Sequence, residues 1–64
     1  MKRVKFIDYI NDHDCSFLKH GAKHDKYINH RNGKRTYIPR HSDLDTDLCN
    51  LICKQLNIPK PMMQ

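Results

Sequence analysis

Histidine is the one side chain whose ordinary pKa lies near neutrality, so it can take and give a proton there. His24 stands in the run Gly21-Ala22-Lys23-His24-Asp25-Lys26-Tyr27, a small flexible pair followed by a histidine among lysines. Lys23 and Lys26 would hold a phosphodiester beside that imidazole. RNA carries its own nucleophile, the 2′-hydroxyl, so its cleavage requires no metal. The reaction requires a base for the hydroxyl proton, cations to offset charge on the phosphorane, and an acid for the leaving 5′-oxygen. His24 suits the base or the acid. Lys23, Lys26 and Arg35 suit phosphate stabilisation, Tyr37 suits stacking on a base, and His41 suits a second proton carrier.

The charge distribution agrees with a polyanion as ligand. Between residues 19 and 40, seven basic residues face Asp25 alone, a net of +6 within a chain of net +5. The remainder, with five basic and six acidic residues, is slightly acidic. Concentrated positive charge interleaved with Tyr27 and Tyr37 is the footprint of a nucleic-acid binder. A solvated lysine-rich hairpin is the plainer alternative.

Sixty-four residues make one domain, 1–58, with a short loose tail at 59–64. A chain this short buries only about 60% of its unfolded surface, so its core is small. No apolar run approaches the roughly 20 residues of a membrane span, and there is no signal-peptide core. Three unevenly placed cysteines do not make a secreted disulfide framework, so a reducing cytoplasm is the expected compartment.

The elements that must position His24 follow from periodicity. Residues 2–12 read as a helix with Phe6, Ile7 and Ile10 on its apolar stripe. Cys15–Lys19, Lys23–His30 and Lys34–Pro39 read as three strands. Asn32-Gly33 predicts a two-residue type I′ turn between the last two. That turn places Arg31 opposite Lys34, Tyr27 opposite Ile38, Ile28 opposite Tyr37, and, if extended, His24 opposite His41. Tyr27, Ile38 and Phe17 then lie under the helices, with His24, Lys26, His30 and Arg35 on the open face. A second helix starts within Ser42–Asp47, capped by Asp45 or Ser42, and runs to about Asn57. Its stripe is Leu48, Leu51, Ile52 and Leu56, and Pro59 and Pro61 end it. The expected fold is therefore α+β, in the order α-β-β-β-α, with two helices on one face of a three-stranded antiparallel sheet.

Cys49 and Cys53, one helical turn apart, invite a zinc site with Cys15 and His13. Without a CxxC knuckle the spacing argues against it. Asp43, Asp45 and Asp47 are better explained as helix-start acids than as a cation site. No metal or cofactor is expected.

Leu18 through Tyr27, then Asn32-Gly33-Lys34, Ile38-Pro39-Arg40-His41, Leu48 through Ile52 and Lys54-Gln55-Leu56 together resemble the HicA family. The resemblance runs from Phe6 to Ile58. It implies a fold like that of a double-stranded RNA-binding domain, in the same α-β-β-β-α order. It further implies an mRNA interferase toxin of a type II toxin–antitoxin system, which cleaves messages and blocks translation. The implied partner is a HicB-type antitoxin that covers the active surface, and the family's catalytic histidine falls on His24. Two positions depart from the family pattern. Ala22 stands where glycine or serine is common, and Asp25 where some members carry a second histidine. A non-catalytic RNA-binding module of the same fold is the alternative function.

Overall fold

A computed structural model describes residues 1–61. The chain runs α1 (Arg3–Asn11), β1 (Cys15–His20), β2 (His24–Asn29), β3 (Arg35–Pro39) and α2 (Thr46–Leu56). The strands form one antiparallel sheet in the order β1-β2-β3. Alternation sets its two faces. Tyr27, Thr36 and Ile38 point inward and are buried, while His24, Arg35 and Tyr37 point outward and are exposed. Both helices cover the inward face, so the order and layering are those the periodicity predicts.

Phe6 and Ile10 of α1, Tyr27 and Ile38 of the sheet, Leu44, and Cys49, Ile52, Cys53 and Leu56 of α2 form the core. The stripe of α2 is thus rotated from the expected one. Cys49, Ile52, Cys53 and Leu56 recur at helical spacing and are buried, whereas Leu51 is 50% exposed and Leu48 only half-buried. Small thiols fit the close approach of α2 to the sheet. Asp45 caps α2 with its carboxylate accepting from the Leu48 amide at 2.7 Å. Ser42 instead stays outside the helix, its carbonyl accepting the Arg3 amide at 2.8 Å. Helix α2 ends because Asn57 turns left-handed (φ 58°), before either proline. The start of the tail is not loose. Pro59 accepts the Tyr9 hydroxyl at 2.6 Å and Pro61 is buried; the tail beyond 61 lies outside the described residues.

The β2–β3 hairpin departs from its expected register by two residues. His24 pairs with Pro39, Tyr27 with Thr36 and Ile28 with Arg35. The connection is a longer loop, closed by the Asn29 amide on the Lys34 carbonyl and the Gly33 amide on the Asn29 carbonyl, both 2.8 Å. A type I′ turn needs positive φ at both central residues, and only Gly33 (φ 75°) has it here. The Asn29 and Asn32 side chains hold this loop. Their oxygens accept the Arg31 and Lys34 amides, and both donate to the Leu56 carbonyl. Faces survive a two-residue slip, and only the facing partners change.

In β1 the register jumps between Phe17 and Lys19, a bulge at Leu18. Phe17 pairs with Tyr27 on the inward side but remains 46% exposed, because β1 is an edge strand. Beyond the bulge, Lys19 pairs with Lys26 and His20 with Asp25. The bulge therefore swings His20 to the side of the buried Asp25 and Lys19 to the open side.

Candidate active site

His24 opens β2 on the outward face, exposed, and its ring has no hydrogen-bond partner among the described residues. Its main chain is firmly held. The carbonyl accepts the Gly21 amide at 2.7 Å and lies 3.5 Å from an Arg40 guanidinium nitrogen. A Cβ at Gly21 would meet that carbonyl oxygen at 2.7 Å, which accounts for glycine at this close approach. The site's rigidity thus belongs to the turn, while the imidazole stays free to meet a ligand.

Lys26 sits at the centre of the open face, between Lys19 of β1 and Tyr37 of β3. Its ammonium lies 5.4 Å from the Tyr37 ring centroid, a cation–π contact that steadies the lysine and leaves the ring exposed. Arg35 is exposed on the same face, one row from Tyr37, and Lys23 is exposed in the turn before His24. His41 does not stand opposite His24 as expected. The slipped register puts Pro39 across from His24, and His41 lies two residues beyond, past the end of β3. His30, expected on the open face, is linked there to Ser16 through its Nε2, 2.6 Å from the hydroxyl.

A second constellation escapes a reading of spacing alone. Asp25, only 7% exposed, holds three cationic or imidazole partners. Arg3 of α1 reaches Oδ2 at 3.0 Å, while the Arg40 Nε and His20 Nδ1 reach Oδ1 at 2.9 and 2.7 Å. Arg40 also donates to the Gly21 carbonyl at 2.8 Å. One carboxylate thus ties α1, β1, β2 and the segment after β3 together beneath the His24 turn. Asp25 is thus the clamp of the site.

The His20 hydrogen bond, aided by Arg40 and against the opposing cost of burial, holds the Asp25 carboxyl below its ordinary value of 3.8. A depressed acid stabilises the fold fully above its unfolded pKa, and the effect is lost as pH falls through the lower folded value. Wild type should therefore melt well above Asp25→Asn at about pH 6, with the gap closing as pH falls below the ordinary carboxyl value of 3.8. Thermal melts at the two pH values check this, and a gap constant with pH would contradict it.

No family model, curated protein or solved structure matches this chain. Cys15, Cys49 and Cys53 are free and buried in the core, and burial pushes their thiols up, that of Cys53 to about 11. Thiolate ligands or nucleophiles need the opposite shift. Among the described residues no group of three His, Cys, Asp or Glu side chains is placed to hold a metal ion, and no helix is long and apolar enough to cross a membrane. What the outward face offers is a free imidazole, several cations and an exposed aromatic ring, which together suit a nucleic-acid strand.

Proposed function

We propose that this chain is a metal-independent endoribonuclease, a HicA-like toxin that cuts messenger RNA through His24 and so blocks translation. The observation that carries the proposal is the outward sheet face. It presents an exposed His24, unpaired among the described residues, at its rim, with Lys19, Lys26 and Arg35 for phosphates and Tyr37 for a base. Lys23 flanks the imidazole from the turn, and His41 follows two residues after Pro39, the residue paired with His24. His24 moves a proton, and the lysines and arginine offset charge on the phosphorane.

The partner in this reading is a HicB-type antitoxin that covers the same basic face. A net charge of +5 favours an acidic partner as well as RNA. Three free thiols suit a reducing compartment, hence a cytoplasmic enzyme working where messages are translated.

A second reading, a non-catalytic RNA-binding module, draws on the absence of an orienting partner for the His24 ring among the described residues. Proton-transfer groups are commonly held by a third group. Cleavage of a long messenger RNA in EDTA, with His24→Ala beside wild type, separates the two. Cutting by wild type alone is expected. RNA bound but uncut by both proteins would favour the module.

A further inference from the structure

We propose that His20, oriented by Asp25, is the general base of the cleavage that His24 completes as general acid. This rests on the ribonuclease reading and supplies the second proton carrier that reading lacks. His20 Nδ1 lies 2.7 Å from Asp25 Oδ1, and the carboxylate is already engaged by Arg3 and Arg40. An ionised carboxylate only accepts, so Nδ1 carries the proton of this bond, and in the neutral ring that bond selects the tautomer whose lone pair is on Nε2. The His20 side chain is 74% exposed, which leaves that nitrogen open to a ligand. The Phe17 ring packs on the imidazole, centroids 4.8 Å apart, and restrains it. His20 therefore has the orienting partner that His24 lacks among the described residues.

The two histidines leave one short turn. His20 closes β1 and His24 opens β2, with the Gly21 amide on the His24 carbonyl between them. His20 is the Cα partner of Asp25, the residue next to His24. Antiparallel partners lie about 4.5–5.5 Å apart, so both imidazoles start from the same rim of the sheet. They leave it on opposite sides, His20 with the inward-facing Asp25 and His24 on the outward face. A phosphodiester seated on the rim would meet one histidine from each side. In-line displacement requires this, because the attacking and leaving oxygens lie on opposite sides of phosphorus.

His20 Nε2 takes the 2′-hydroxyl proton as O2′ bonds to phosphorus. The bond from phosphorus to O5′ breaks, and the His24 imidazolium gives its proton to O5′. The products are a 2′,3′-cyclic phosphate and a 5′-hydroxyl end, and water returns the proton from His20 to His24. Lys19 and Lys23 flank the turn and offset the phosphorane charge.

The test is kcat/KM against pH in EDTA for wild type, His20→Ala and His20→Gln, with melting and RNA binding measured alongside. The groups facing His20 are Asp25 of β2 and, through it, Arg40 and Arg3, with Lys19 and Lys23 beside it in the chain. Wild type should give a bell. Both variants should bind RNA and lose about 10²–10⁴-fold in rate together with the acid-side limb. Imidazole added to His20→Ala should restore part of the rate. Should His20→Ala fail to fold, His20→Gln, which keeps a donor for Asp25, decides. Equal cutting by wild type and His20→Gln, or a lower rate with the bell unchanged, would overturn this assignment and leave His24 standing. RNA left uncut by wild type would overturn the ribonuclease reading and this one with it.

Discussion

His24→Ala is expected to slow RNA cleavage by about 10²–10⁴-fold while leaving RNA affinity nearly unchanged. The two effects separate because they reside on different side chains. Affinity comes from Lys19, Lys23, Lys26 and Arg35 through phosphate charge, and it should fall steeply with salt in both proteins. Rate comes from the proton that His24 carries. The substitution removes no hydrogen bond that the His24 side chain makes among the described residues, and the carbonyl held by Gly21 remains. The fold should therefore survive, and a melt unchanged from wild type would confirm that the lost rate is chemical. Gel-resolved cleavage beside a filter-binding titration makes the comparison. Parallel loss of binding and cleavage would instead make His24 a phosphate contact.

Phe6→Ala is expected to unfold a large fraction of the chain at 25 °C. Phe6 is fully buried among α1, the sheet and α2, and removing such a ring costs roughly 3–5 kcal/mol. A domain of this length has only about 3–10 kcal/mol to lose. With so few core residues, little can collapse into the cavity. Urea denaturation should show a much lower midpoint, or no folded baseline. Val4→Ala on the same helix, 73% exposed, should stay within about 0.5 kcal/mol of wild type. Comparable losses at the two positions would mean that α1 does not cover the sheet as described.

Much of this architecture is legible in the sequence because faces depend only on alternation and helical spacing. Phe6 and Ile10, Tyr27 and Ile38, and Ile52 and Leu56 declare their sides by period alone. Pairing is another matter. A strand that slips by two residues keeps every side chain on its face, so the apolar pattern cannot distinguish His24 opposite His41 from His24 opposite Pro39. The deciding contacts are Asn29 and Asn32 on the Leu56 carbonyl, between residues 24 or more positions apart. The Asp25 clamp is half legible. The alternation that buries Tyr27 also turns Asp25 inward, and a buried carboxylate implies cationic partners. Which of the twelve lysines and arginines answer it, and that a bulge at Leu18 delivers His20 as well, depends on tertiary placement. The α2 stripe is misjudged for a simpler reason. Cysteine ranks as weakly apolar by composition yet is among the most buried residue types in folded proteins.

The most direct measurement is cleavage in EDTA of one RNA beside the same strand carrying a single 2′-deoxynucleotide at the cut position. A reaction driven by His24 and the substrate's own hydroxyl predicts cutting of the all-RNA strand to a 2′,3′-cyclic phosphate end, and none at the deoxy position. Cutting of both strands at that position, or of neither, would contradict it.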